Sequence, residues 1–83
     1  RGFSKAELKD NYGAISDYTK AIEINSQDGE AYHNRGFSKA ELKDYYGAIS
    51  DYTKAIEINP QDGDAYLYRG IAKENESNTE RAW

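Results

Sequence analysis

The sequence predicts an all-α fold, an α-solenoid of stacked antiparallel helix–turn–helix repeats. Three observations predict it. A block of 34 residues occurs at 1–34 and again at 35–68, with 29 of the 34 positions identical. Apolar and small residues recur at helical spacing within each block. Residues that cap or break helices separate these stretches, and a helical hairpin of this kind buries its apolar face only when a neighbouring hairpin stacks on it.

The repeat defines the domain organisation that we expect. The two copies differ at five positions, namely Asn11/Tyr45, Ser26/Pro60, Glu30/Asp64, His33/Leu67 and Asn34/Tyr68. A third copy begins at Tyr66 and soon diverges. Such identity indicates either a recent duplication or construction from one template. We expect one repeat domain at 1–83, with a partial repeat at 1–28, a full repeat at 29–62 and a partial third repeat at 63–83.

The first helix of the full unit is predicted from small and apolar residues on one face. They are Tyr32, Gly36, Ala40 and Leu42. Asp28 precedes them, and Asp62 precedes the same stretch of the third copy. A carboxylate at this position accepts hydrogen bonds from the first backbone N–H groups of a helix. We therefore expect both aspartates to begin helices.

The second helix of the full unit follows a break at Lys43-Asp44, and Asp44 can cap it. Its apolar residues at helical spacing are Ala48, Ile49, Tyr52, Ala55, Ile56 and Ile58. Asn59-Pro60 ends it, because proline cannot continue a helix and restricts the residue before it. Over the whole repeat, this pattern predicts helices at about 1–9, 12–25, 30–42, 46–59 and 64–76, with a stub from about 78.

Composition argues against several classes of function. No cysteine is present, and the single histidine, His33, rules out a metal site built on a histidine pair. A net charge of −4 disfavours nucleic acid and membrane surfaces as partners. No apolar segment is long enough to span a bilayer. The sequence contains no catalytic arrangement and no glycine-rich phosphate loop, so we expect no enzyme activity and no cofactor.

The origin and location of the chain are less defined. The sequence contains no methionine. We therefore expect a fragment or a processed product, with more repeats flanking it in the intact protein. The absence of cysteine fits the cytosol and the bacterial periplasm about equally. Localisation stays open, with a soluble and slightly more often cytoplasmic protein expected.

The period, the small residues and the helix breaks together resemble the tetratricopeptide repeat family. That family has the pattern W-x2-L-G-x2-Y, then A-x3-F, then A, then P, at a period of 34. The matching positions are Tyr32, Gly36, Ala48, Tyr52, Ala55 and Pro60. Departures are Arg35 for the leucine, Lys39 for the tyrosine, Lys43 for a helix-ending glycine and, in the first copy, Ser26 for the proline. The resemblance covers essentially the whole chain and implies hairpins stacked into a right-handed superhelix.

The same resemblance implies that the first helices of successive units line a concave groove that holds a partner. Carried over position by position, the groove consists of Phe3, Ala6, Glu7, Glu30, His33, Asn34, Phe37, Ala40, Glu41, Asp64, Leu67, Tyr68, Ile71, Glu74 and Asn75. Phe3, Phe37 and Ile71 recur at the period of 34 and form an apolar stripe. The stripe is interpreted either as packing between helices or as an exposed partner site rimmed by charge.

Differences between the two copies fall partly in this groove. Three of the five lie there, namely Glu30/Asp64, His33/Leu67 and Asn34/Tyr68. The first pair is conservative and the other two are not. Variation on one face favours the interpretation that this face is adapted to a partner.

The chemistry of the groove predicts the kind of partner. Some family members clamp a terminal carboxylate with lysine and asparagine, and only Asn34 matches that set here. The groove combines apolar residues with carboxylates, so we expect a protein or peptide with apolar anchors and basic flanks. The alternative is a structural spacer or a self-assembling repeat array without a groove ligand. Self-association through apolar faces at the repeat ends is a further expectation.

Two sets of polar residues allow more than one interpretation. Arg35 and Lys39 lie four residues apart, share a helix face and need an acidic counterpart. Asp17 and Asp51 recur on the second helices and are the expected counterparts. The set is interpreted as an ion-pair ladder in place of an apolar contact, or alternatively as an anion site. His33 is interpreted as a polar surface residue, or alternatively as a group that makes partner binding pH-sensitive.

Overall fold

The protein is built from four consecutive helices. The computed structural model describes the backbone of residues 5–81 and the side chains of residues 10–78. The helices are α1 (Lys5–Ile24), α2 (Gly29–Glu41), α3 (Tyr45–Ile58) and α4 (Gly63–Arg81). Each packs on the next across a turn of three or four residues, so that neighbours are antiparallel. The described chain is all-helical and forms stacked helical hairpins as predicted, while the hand of the superhelix stays a prediction.

The turn between α2 and α3 forms where the sequence predicts a break. Lys43 has a φ of 67°, a left-handed conformation that ends α2. Asp44 then caps α3, because its Oδ1 accepts a hydrogen bond of 3.0 Å from the backbone N–H of Gly47. Lys43 thus occupies, at some cost in strain, a conformation that glycine adopts freely.

The turns between units repeat one arrangement. Asp28 accepts a 3.1 Å hydrogen bond from the N–H of Ala31 and caps α2, as predicted. Asp62 does the same for Ala65 at 3.0 Å at the start of α4. Just before these caps, Asn25 and Asn59 each accept a hydrogen bond from the backbone N–H two residues later. The two turns match although only the second contains proline, so the aspartate and asparagine side chains suffice to form this turn.

Two predicted helix breaks are wrong. Residues 5–9 of the predicted helix 1–9 join the predicted helix 12–25 in one helix, Lys5–Ile24, and residues 1–4 lie outside the described backbone. The segments 64–76 and 78–81 also form one helix, Gly63–Arg81. The sequence KAELKD occurs twice. At 39–44, where α2 is held between α1 and α3, the chain leaves the helix and turns, whereas at 5–10 it stays helical. A lysine with a left-handed backbone conformation costs about 1–2 kcal/mol of folding free energy, and packing within the hairpin must offset that cost. In α4, residues 74–79 lack the Leu-Lys-Asp sequence of the turn.

Small residues set the spacing of the core. Ala48, Ala55 and Ala65 are completely buried, and Tyr52 is the largest side chain with almost no exposure. A Cβ atom at Gly36 would lie 3.1 Å from the Tyr52 ring and 3.3 Å from the carbonyl oxygen of Ala48. Glycine therefore allows α2 and α3 to cross closely, because a larger side chain would need Tyr52 or the backbone of α3 to shift by a few tenths of an ångström.

Candidate partner-binding groove

The groove-facing residues of α2 and α4 lie side by side. The Phe37 ring on α2 meets the Tyr68 ring on α4 edge-on, with their centroids 5.9 Å apart. The His33 ring also meets Tyr68 edge-on, at 6.0 Å. The helices α2 and α4, which α3 separates in sequence, therefore form one continuous surface. We call this surface, with His33 and Phe37 on α2 and Tyr68 on α4, the groove.

Apolar side chains on this surface remain open to solvent. Phe37 is 44% exposed, Leu67 58% and Ile71 43%. Phe37 and Ile71 occupy the same position in consecutive units, and Leu67 lies one helical turn before Ile71. An exposed apolar row of this kind is typical of a surface that contacts another molecule.

Tyr52 forms the floor beneath the aromatic residues. Its ring stacks on Tyr68 with centroids 6.2 Å apart, and His33 packs edge-on against it at 5.6 Å. Burial raises the pKa of Tyr52 to about 12, because the phenolate would lose its hydration. The charges of Asp51 and Glu41 oppose ionisation further. Tyr52 therefore stays neutral beneath the groove.

One end of the groove opens into an acidic depression of about 450 Å³. Its walls come from the start of α2, the end of α3 and the turn before α4, and consist of Gly29, Glu30, His33, Asn34, Ile58, Asn59, Asp62 and Asp64. The Nδ1 atom of His33 lies 3.2 Å from Oδ2 of Asp62. Among the described residues, no group of three or more His, Cys, Asp or Glu side chains could hold a metal ion. The carboxylates instead give the depression a negative potential.

Sequence reasoning missed Asp62 as a member of this site. Asp62 was predicted only as a helix cap, and its Oδ1 does accept from the N–H of Ala65. The second oxygen faces His33, 29 residues earlier. The available signal was that a capping carboxylate uses one oxygen and leaves the other for a second contact.

The remaining predicted groove residues divide into three groups. Glu30, Asn34 and Asp64 line the depression. At the other end of α2, Glu41 is partly buried and Ala40 packs against the core, while Glu74 and Asn75 are exposed on α4. The last three, Phe3, Ala6 and Glu7, lie outside the side chains that the structure describes.

Comparison with known families decides the classification. A sequence model of the tetratricopeptide repeat matches residues 29–62, and a second model of the same repeat matches residues 51–83. The chain belongs to the tetratricopeptide repeat family. A search of curated proteins found no match. Repeats of this family are generally protein–protein interaction modules and are typically not catalytic.

The signature positions of the tetratricopeptide repeat have clear roles here. Ala48 and Ala55 are fully buried in α3, and Gly36 allows the close crossing of α2 and α3. Tyr52 fills the space between units. Pro60 lies in the exposed turn directly after Asn59, which has an extended backbone and ends α3.

Two of the positions where this chain departs from the usual tetratricopeptide pattern, Arg35 and Lys39, form ion pairs with Asp51. Arg35 donates two hydrogen bonds of 2.8 Å to the carboxylate of Asp51, which is 3% exposed. Lys39 lies 3.2 Å from the same carboxylate. The hydrogen bond to Asp51 raises the pKa of Arg35 although burial opposes it. The predicted pairing with Asp51 is confirmed, and its single carboxylate contacts both cations and offsets one of their two charges.

Arg35 does not pair with Asp17. Arg35 reaches α1 through a 3.1 Å hydrogen bond to Oγ1 of Thr19 instead. Asp17 corresponds to Asp51 one unit earlier, and the equivalents of Arg35 and Lys39 in that unit, Arg1 and Lys5, lie outside the described side chains. Arg35 therefore contacts a carboxylate in its own unit and a hydroxyl in the preceding one.

No helix able to cross a membrane occurs in the described part of the chain.

Proposed function

We propose that this tetratricopeptide repeat chain is an interaction scaffold that binds a peptide segment of a partner protein in the groove between α2 and α4. The observation that carries the proposal is the exposed row of Phe37, Leu67 and Ile71 on two adjacent first helices. Burying such side chains contributes roughly 25 cal/mol per Å² of apolar area, which is enough to hold an apolar anchor.

The aromatic packing makes the groove a prepared surface. Tyr68 is held by contacts with Phe37, His33 and Tyr52. Side chains that are already fixed lose little conformational entropy when a ligand binds. An apolar side chain of the partner would therefore rest on Phe37, Tyr68 and Leu67 without rearranging the helices.

The negative charge beside the groove predicts which charged residues the partner carries. The depression next to the aromatic residues carries Glu30, Asp62 and Asp64, and the chain has a net charge of −4. A lysine or arginine of the partner would complement these carboxylates. The preferred ligand is therefore a peptide with apolar anchors and at least one basic residue beside them, rather than a nucleic acid, a membrane or a peptide held by its terminal carboxylate.

The proposal is tested by selecting peptides from a random displayed library on the immobilised chain. Enriched peptides should combine apolar anchors with lysine or arginine. Their affinity is then measured by fluorescence anisotropy for the parent and for the double variant Phe37→Glu, Leu67→Glu. We expect the double variant to bind at least about tenfold more weakly, a loss of about 1.4 kcal/mol or more.

The matched control is Tyr12→Glu, which makes the same kind of change at a 64% exposed aromatic residue on α1. Circular dichroism checks that all variants are equally helical. Equal binding by the parent and the double variant would contradict the groove as the site. A failure to enrich any peptide would favour the alternative function, a structural spacer without a groove ligand.

A further inference from the structure

The α4 helix presents an incomplete copy of the face with which α2 packs against α3. Arg69 on α4 donates a 3.1 Å hydrogen bond to Thr53, just as Arg35 does to Thr19. Its guanidinium lies 5.4 Å from the centre of the Tyr66 ring, repeating the Arg35–Tyr32 contact at the same distance. No described carboxylate, however, stands opposite Arg69 as Asp51 stands opposite Arg35.

Neighbouring positions of α4 are open in the same way. A Cβ atom at Gly70 meets nothing within 4 Å, whereas at the equivalent Gly36 it meets Tyr52 and Ala48. Within the described chain, Lys73 has no ion pair, although the equivalent Lys39 binds Asp51. The α4 face is thus shaped and charged to receive a second helix like α3.

The α1 helix is the matching partner. It carries the same sequence as α3 at the packing positions, with Ala14 for Ala48, Asp17 for Asp51 and Tyr18 for Tyr52. Asp17 is exposed and forms no ion pair with any described side chain.

We propose that two copies of this chain associate head to tail, with α1 of one copy packed on α4 of the other as α3 packs on α2. Asp17 of the second copy accepts hydrogen bonds from Arg69 and lies beside Lys73. Tyr18 covers Gly70. In such an assembly, α1 of the next copy follows α4 just as α3 follows α2 within one chain. The contact joins two different faces of the protein and is therefore heterologous, so assemblies grow longer as concentration rises.

This contact is compatible with the groove but does not depend on it. Phe37 remains 44% exposed although α3 packs on α2. The equivalent Ile71 therefore stays exposed when α1 of a second copy packs on α4. Association can be measured without any peptide, so a failure of one proposal leaves the other untouched.

The test is a charge exchange followed by sedimentation velocity over a concentration series. We expect the parent to associate, and Asp17→Arg and Arg69→Asp each to weaken association at least tenfold, because like charges then face each other. An equimolar mixture of the two variants should restore association, since each variant face meets a complementary one. The matched control is Glu23→Arg, the same charge change on α1 at a position whose equivalent, Glu57, stays exposed on packed α3.

A second variant tests the shape of the contact independently of charge. Gly70→Leu adds a side chain where the single chain has open space, so the variant should remain folded by circular dichroism. In the assembly the same side chain would collide with Tyr18, and association should be lost. A parent that stays monomeric up to about 1 mM, a mixture that does not recover, or a Gly70→Leu variant that associates like the parent would each overturn the proposal.

Discussion

Lys9 and Lys43 occupy the same place in the same six-residue sequence, KAELKD, yet their backbones differ. Lys43 is left-handed, with a φ of 67°, and ends α2, whereas Lys9 lies inside the continuous helix α1. The six residues themselves cannot cause the difference, because they are identical, and the first residue that differs follows them directly, Asn11 in one copy and Tyr45 in the other. Packing differs as well, since only the second copy is held between helices on both sides.

This relationship predicts opposite effects of one substitution at the two positions. Lys43→Gly should stabilise the protein by about 1 kcal/mol, because glycine adopts positive φ without strain. Lys9→Gly should destabilise it by about 1 kcal/mol, because glycine weakens a helix interior. Urea denaturation at low protein concentration measures both. Stabilisation by Lys9→Gly would show that α1 bends where α2 does.

The buried carboxylate predicts a second pair of outcomes. Asp51→Asn removes the charge that pairs with Arg35 and Lys39, and should cost about 3–5 kcal/mol of unfolding free energy. Asp17→Asn makes the same change at the equivalent exposed position and should stay within about 0.5 kcal/mol of the parent. Denaturant unfolding of dilute monomer separates the two. Similar losses for both variants would show that Asp17 has a stabilising partner outside the described side chains.

A third prediction concerns the two equivalent glycines. Gly36→Ala places a methyl group 3.1 Å from the Tyr52 ring and 3.3 Å from a backbone oxygen, so it should destabilise by about 1–3 kcal/mol. Gly70→Ala enters open space within α4 and should stabilise by up to about 1 kcal/mol through better helix propensity. Thermal unfolding gives the order of the melting temperatures. Equal effects would mean that the α2–α3 crossing is looser than described.

The raised pKa of Tyr52 predicts a loss of stability in alkali. The folded state keeps this hydroxyl protonated up to about pH 12, whereas a tyrosine in the unfolded chain titrates near pH 10. The resulting stability is complete below pH 10 and is lost as pH rises towards 12. Over two pKa units this amounts to about 2–3 kcal/mol.

The measurement compares the parent with Tyr52→Phe, which cannot ionise. The difference in unfolding free energy between them should be constant from pH 7 to 9 and should shift in favour of the phenylalanine variant above pH 10. Tyr12→Phe, which makes the same change at an exposed tyrosine, is the matched control. A flat difference for Tyr52→Phe would mean that the folded state does not raise the pKa of Tyr52.

Local signals made much of the fold predictable. The caps at Asp28, Asp44 and Asp62 each depend on a backbone N–H three residues later, and all three formed as predicted. The small residues Gly36 and Ala48 could also be assigned, because their spacing repeats with the helices. What failed was the continuity of α1 and α4, which depends on whether a neighbouring helix supports the bend.

The site was predictable only where one helix face defines it. Phe37 and Ile71 are exposed as the apolar stripe requires, but the contact of His33 with Asp62 joins residues 29 positions apart and depends on where a turn comes to rest. On α1, Arg35 contacts Thr19 rather than Asp17. Which of the two side chains it reaches depends on how α1 is rotated about its axis, and the repeat period alone does not define that rotation.

The most direct test of the groove proposal is to titrate the isotope-labelled chain with a selected peptide and record backbone and side-chain NMR shifts. The account predicts that the largest changes fall on α2 and α4, at His33, Phe37, Leu67, Tyr68 and Ile71. Changes concentrated on the outer residues of α1 and α3, with these five unaffected, would contradict it.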